Sequence, residues 1–130
     1  MNEVYEFLNE SKVYYLATTK EGRPRTRPFG TIDLFENKLY IQTGKVKEVS
    51  KEMKLNPNVE LCAMNKGTWI RISAKAYLDE RVEAQEHMLD KYPSLKKNYQ
   101  ANDGNTEVFY LEDVTAEIYS FGNEPKVIKF

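Results

Sequence analysis

Hydrophobic and polar residues follow two different periods along this chain, and each change of period marks the boundary of a predicted element. From Ile70 to Leu78 every second residue is apolar, which predicts a strand with one buried face. Between Lys45 and Asn56 apolar residues recur at intervals of three and four, which predicts an amphipathic helix. The chain is therefore expected to combine strands with helices.

Short runs of β-branched and aromatic residues, separated by turn residues, identify the other strands. The predicted strands span Lys12–Thr19, Arg25–Leu34, Leu39–Thr43, Val59–Met64, Trp69–Leu78, Glu107–Leu111 and Val114–Phe121, with Val127–Phe130 as a further edge strand. Short turns at Lys20–Gly22, Glu36–Lys38 and Glu112–Asp113 join neighbouring strands, so we expect antiparallel pairing.

Three helices accompany the strands. They span residues 3–10 with Asn2 as the N-cap, Lys45 to the residue before Asn56–Pro57, and Glu80–Tyr92 closed by Pro93, while the polar segment Lys97–Asn105 is predicted as a loop. About seven strands and three helices in one domain of residues 1–130 predict a mainly β fold, an antiparallel β-barrel with peripheral helices. A parallel βαβ architecture is disfavoured because most strand pairs lack a crossover helix.

Composition argues against a membrane span, a secretory signal and a metal site. With 130 residues, 41% of them hydrophobic and 30% charged, the chain resembles one ordinary folded domain. No segment approaches the roughly 20 apolar residues of a membrane span, and the acidic start MNEVYEFLNE lacks the apolar run of a secretory signal. Cys62 is the only cysteine, so we expect a cytoplasmic protein in which this thiol is a small core residue. His87 is the only histidine and is expected at the surface or an interface, so no metal site is predicted.

The charge is unevenly distributed. The whole chain has a net charge of −1, whereas six basic and two acidic residues between Gly22 and Lys47 give that segment +4. A face that binds nucleic acid would normally raise the charge of the whole domain. The segment therefore favours a local anion site, with no nucleic-acid or membrane partner.

Two motifs can form such a site. In a strand, Arg23, Arg25 and Arg27 share one face, and a guanidinium binds phosphate through two parallel hydrogen bonds. The segment Thr43–Lys47 adds a hydroxyl and two ammonium groups at the start of the predicted helix, where backbone N–H groups are free. The alternative is that the arginines are solvated residues that protect an edge strand from aggregation.

The two motifs together resemble those of the pyridoxamine-phosphate-oxidase-like FMN-binding split-barrel proteins, especially the short members with a single domain. The most specific match is G-x-P-x-x-R-P at 22–28, then Y-x-x-T-x-x-x-K at 40–47, then N-P-x-V at 56–59. Similarity continues from YYLATTKEGRPRTRPFG to WIRISAKAYL, which covers most of the chain.

This resemblance implies an antiparallel FMN-binding split barrel and assigns roles to single residues. Arg27 corresponds to a ligand of the phosphate or ribityl chain, and Thr43 and Lys47 to the phosphate-binding threonine and lysine. Trp69 and Arg71 lie where the partner subunit of such dimers approaches the cofactor. The candidate cofactor-binding residues are Arg25, Arg27, Pro28, Phe29, Gly30, Thr43, Lys45, Lys47, Trp69 and Arg71.

The implied function is that of an FMN-dependent oxidoreductase, a homodimer that acts on a small planar substrate at the flavin face, with NAD(P)H as a possible electron donor. The final segment FGNEPKVIKF has no counterpart of the substrate motif of the true oxidases, so we do not expect oxidation of pyridoxamine phosphate. No catalytic side chain is identified, because the flavin carries the redox chemistry. Two alternatives stay open: a flavin-binding or stress-related protein without turnover, and a split-barrel module that binds haem or another anion.

The aromatic residues outside these motifs allow two interpretations each. Trp69 is expected in the core, at a dimer interface or over the flavin. Tyr119 and Phe121 alternate outward on the last long strand, where they either pack against a partner subunit or form a wall of the substrate pocket.

Overall fold

The computed structural model describes residues 1–130, and its main element is a curled sheet of eight antiparallel strands. The strands are β1 (Tyr14–Lys20), β2 (Arg23–Phe29), β3 (Asp33–Phe35), β4 (Lys38–Gly44), β5 (Asn58–Asn65), β6 (Thr68–Asp79), β7 (Thr106–Tyr119) and β8 (Lys126–Lys129). Their spatial order is β2-β1-β5-β6-β7-β4-β3, and β8 pairs with β7. The predicted mainly β fold is therefore confirmed.

Three helices lie at the periphery of the sheet, as predicted. They are α1 (Asn2–Ser11), α2 (Glu48–Leu55) and α3 (Val82–Lys91), and a 3-10 helix (Pro93–Lys97) follows α3. The N-cap of α1 is Met1 rather than Asn2, and no side chain caps this helix. None of the helices has the length and apolar character needed to cross a bilayer.

The barrel is open between β2 and β3, although these strands are consecutive in the chain. They lie at opposite ends of the strand order and do not pair with each other. The prediction of one strand over Arg25–Leu34 is therefore wrong, because the chain leaves one edge of the sheet and crosses to the other through residues 30–32.

Side chains form the hydrogen bonds of the backbone N–H and C=O groups in this connection, because it pairs with neither edge of the sheet. The hydroxyl of Tyr14 donates to the carbonyl of Thr31 at 2.7 Å. The hydroxyl of Tyr92 donates to the carbonyl of Ile32 and accepts from its N–H, both at 3.0 Å. Lys91 Nζ donates to the same carbonyl. The connection is thereby fixed to both β1 and the end of α3.

Two further sequence predictions differ from the structure for local reasons. β7 continues through Glu112 and Asp113, where a turn is predicted, because the extra residue forms a β-bulge with Asp113 at φ 52°. The second helix begins at Glu48 rather than Lys45, and Val46 lies in the preceding turn with 74% of its surface exposed.

The strand period decides the position of Cys62. On β5, Leu61 and Ala63 point into the main core, so Cys62 and Met64 point outward. The expectation that Cys62 is a core residue is therefore wrong, and its thiol is exposed.

We expect Tyr92→Phe to lower the free energy of unfolding by about 1–3 kcal/mol, because it leaves the N–H of the buried Ile32 without a partner. Urea unfolding measures this change. Tyr15→Phe is the control, since Tyr15 is exposed and its hydroxyl has no hydrogen bond in the chain; its effect should stay below about 0.5 kcal/mol. Equal stability of Tyr92→Phe and the parent would contradict the assigned anchor.

Candidate functional site

A cavity of about 390 Å³ lies where the barrel is open. Four parts of the chain form its wall: the end of β2 with the following connection, β4, the start of α2, and the segment after α3. The lining residues are Arg27, Pro28, Phe29, Gly30, Thr31, Gln42, Thr43, Lys47, Val49, Tyr92, Ser94, Leu95 and Tyr99. This volume falls in the range of small-molecule sites, about 300–1,000 Å³.

Six of the ten predicted cofactor ligands line this cavity, and four do not. The six are Arg27, Pro28, Phe29, Gly30, Thr43 and Lys47. Arg25 is exposed on β2 outside the cavity, and Lys45 lines a second cavity of about 430 Å³. Trp69 and Arg71 lie on the outer face of β6.

Arg27 is already engaged with the protein. Its Nη2 lies 2.7 Å from Glu52 Oε1, and its Nη1 donates to Thr18 Oγ1 at 2.8 Å. Thr18 in turn donates to the same Glu52 oxygen at 2.5 Å. This network joins β2 and β1 to α2, so both terminal nitrogens of Arg27 already have partners within the protein.

Glu52 keeps its charge despite being buried. Burial alone would raise its pKa, but the hydrogen bonds from Thr18 and Arg27 outweigh that effect and hold the pKa below its usual value. The positive charge of Arg27 is therefore largely balanced within the protein.

Lys47 is the cation left to act on a ligand. It is the N-cap of α2, and its side chain forms no ion pair with any acidic residue of the chain. No side chain caps α2, so the N–H groups of Glu48 and Val49 in its first turn are free. The hydroxyl of Thr43 also lines the cavity, and no acidic residue does. This end of the cavity is built to receive an anion.

The outer face of the sheet carries an aromatic patch that is partly exposed. The rings of Trp69 and Tyr119 stack with centroids 4.2 Å apart, and the guanidinium of Arg71 lies 5.2 Å from the Trp69 ring centroid. Met64 and Tyr15 extend the patch and are 71% and 56% exposed. Tyr119 thus points outward as predicted, whereas Phe121 lies beyond the end of β7 and is fully exposed.

Sequence reasoning missed seven residues of the cavity wall: Thr31, Gln42, Val49, Tyr92, Ser94, Leu95 and Tyr99. Four of them follow α3, and the tyrosines there resemble ordinary packing residues of a helix and a loop. Only long-range packing brings this segment to the connection between β2 and β3, and no local pattern signals that packing.

Comparisons with known proteins agree with this architecture. The family model described as Pyridoxamine 5'-phosphate oxidase matches residues 1–117. A crystal structure of a NimC/NimA family protein from Clostridium acetobutylicum is 40% identical, with a TM-score of 0.97 over 100% of this chain and 92% of that chain. No curated protein matches the chain.

More distant structures share the fold alone. General Stress Protein 26 from Bacillus anthracis is 17% identical, with a TM-score of 0.77 over 99% of this chain and 97% of that chain. HutZ, the haem storage protein from Vibrio cholerae, is 16% identical, with a TM-score of 0.65 over 87% of this chain and 91% of that chain.

We expect Glu52→Gln to lower the free energy of unfolding by about 1–3 kcal/mol at pH 7, because the partly buried Arg27 loses its charged partner. Since folding lowers the pKa of Glu52, this stabilisation is complete above about pH 5 and is lost as the pH falls below the usual range of a carboxyl group.

Urea unfolding at pH 7 and at pH 3 measures the difference between the two proteins. Glu6→Gln, on the exposed face of α1, serves as the control. A difference at pH 7 that persists undiminished at pH 3 would show that the carboxylate charge is not what stabilises the network.

Proposed function

The chain belongs to the pyridoxamine 5'-phosphate oxidase family, and on that basis we propose that its cavity binds FMN and that the bound flavin exchanges electrons with a small planar substrate. The observation that carries the proposal is the anion end of the cavity. There the unpaired Lys47, the Thr43 hydroxyl and the uncapped start of α2 line one space without an acidic group. A phosphate monoester can accept hydrogen bonds from all three.

The rest of the wall suits an aromatic ring system. Pro28, Phe29, Tyr92 and Leu95 present apolar surface, and Gly30 has no side chain to occupy the space beside them. Bound FMN would supply the redox chemistry, so the chain needs no acid–base pair of its own. Its side chains would hold the phosphate and keep water from part of the ring.

The geometry changes the roles that we propose for the basic residues. Lys47 is the main phosphate ligand, while Arg27 shapes the wall and holds β2 against α2. Arg25 and Lys45 lie outside this cavity, so its geometry gives no support to their role as ligands.

We further propose that the protein is a homodimer whose partner subunit covers the open side of the cavity. The aromatic patch supports this arrangement, because exposed apolar surface of this kind marks interaction sites. Pro28, which lines the cavity, is paired in register with Tyr15 of the patch. Trp69 and Arg71 would then approach the cofactor of the partner subunit rather than their own.

The position of His87 bears on haem as the competing ligand. This residue is the only histidine, and its Nδ1 lies 2.6 Å from Asp33 Oδ2, outside the cavity. The cavity therefore offers no histidine to a haem iron.

We expect purified protein to take up FMN with a flavin absorbance spectrum, to release FMN on denaturation, and to lose the oxidised spectrum when NADH or NADPH is added. Absorbance and mass spectrometry of the released ligand check this. If the protein binds FMN but reacts with neither donor, the flavin-binding part of the proposal holds and the electron transfer does not. Protein that does not take up FMN, or that shows a Soret band, would disprove the proposal.

We expect Lys47→Ala to weaken FMN binding about 10- to 100-fold, because it removes one charge-assisted hydrogen bond. Riboflavin lacks the phosphate, so its affinity should change less than about twofold. Quenching of flavin fluorescence gives both dissociation constants. Lys51→Ala is the matched control, since this lysine is on the same helix but outside the cavity. If Lys47→Ala binds FMN as tightly as the parent, Lys47 is not a ligand of the phosphate.

A further inference from the structure

The anion end of the cavity is closed by a contact between three residues. A Cβ atom added to Gly44 would lie 3.2 Å from both Cε1 and Oη of Tyr99, and 3.2 Å from Nδ2 of Asn105. The ring of Tyr99 therefore packs directly on the backbone of Gly44 at the end of β4, where a Cβ atom would make an unusually tight contact.

Hydrogen bonds fix this contact from the side of Asn105. Its carbonyl accepts from the N–H of Lys45 at 2.7 Å, and its Oδ1 accepts from the N–H of Val46 at 3.3 Å. Asn105 is itself held by Asp103, whose Oδ1 accepts from its N–H at 2.8 Å. Several such hydrogen bonds to Asp103 outweigh the effect of burial and lower the pKa of its carboxyl to about 2. Hydrogen bonds on both sides of Asn105 therefore hold its part of the contact in place.

Two cavities lie near this contact. Thr43, Lys47 and Tyr99 line the first cavity, while Lys45 and Gly104 line the second cavity on the other side of the turn. The second cavity has a volume of about 430 Å³, and its lining includes two lysines and two glutamates, with Lys54 Nζ 2.6 Å from Glu107 Oε2. A ligand whose phosphate lies beside Lys47 would have the ring of Tyr99, packed on Gly44, in the wall of the same cavity.

We propose that Tyr99 determines specificity at this site: with Gly44 it forms an end wall that admits a terminal phosphate monoester and excludes a phosphate diester such as a flavin dinucleotide. This inference rests on the proposed flavin site. It adds the residue that limits the length of the ligand at the phosphate end. A monoester ends at the wall, whereas a dinucleotide carries a second phosphate and a nucleoside that need the space Tyr99 occupies.

The test compares the affinities of the parent protein, Tyr99→Ala and Tyr99→Phe for FMN, FAD and riboflavin, with thermal unfolding as a check of folding. We expect the parent to bind FMN at least 100-fold more tightly than FAD. Tyr99→Ala removes the ring from the end wall, so this ratio should fall at least tenfold. Tyr99→Phe keeps the ring, so its ratio should stay within about threefold of the parent.

The outcomes separate the two proposals. If the parent binds FMN and Tyr99→Ala keeps the full preference over FAD, the wall is disproved and the flavin site stands. A parent that binds FAD as tightly as FMN also disproves the wall. If the parent binds none of the three flavins, the proposed function fails, and the specificity that rests on it fails too. Should Tyr99→Ala unfold, Tyr99→Leu provides the smaller side chain with apolar packing retained.

Discussion

The structure depends on one topological constraint: two strands that follow each other in the chain occupy opposite ends of the sheet. β2 and β3 are joined by three residues, yet they do not pair, so the barrel cannot close between them. The gap creates the cavity, and the connection forms part of its wall. Because neither sheet edge can satisfy the backbone there, side chains from β1 and from the end of α3 must do so.

The buried carboxylate of Glu52 determines which basic residue of the cavity stays unpaired. Glu52 is held by Thr18 and Arg27, and this pairing balances the charge of the one arginine of β2 that lines the cavity. Lys47 has no such partner, and the helix it precedes begins without a cap. The basic cluster is thus divided between Arg27, which is paired with Glu52, and Lys47, which stays unpaired at the start of α2 and has the binding role that we propose.

Much of the architecture could be predicted from the sequence, because it is local. The alternation in β6, the helix that ends before Pro57, and the joined motifs that place Thr43 beside Lys47 all depend on residues close together in the chain. The break between β2 and β3 and the bulge at Asp113 depend on which strands become neighbours, which no short window contains. The pairing of Arg27 with Glu52 and the wall formed by Tyr99 have the same cause, since each joins residues far apart in sequence.

The anchoring of Ile32 by Tyr92 has a consequence for the order of folding. The two residues are 60 positions apart, so the N–H and carbonyl of Ile32 gain the hydrogen bonds with Tyr92 only after α3 has docked on the sheet. Contacts of such long range form late, because the entropy of closing the intervening loop opposes them. During synthesis β1 can pair with β2, and β3 with β4, before α3 has emerged. Because Tyr92, Leu95 and Tyr99 line the cavity, its wall is complete only in chains whose segment after α3 has docked.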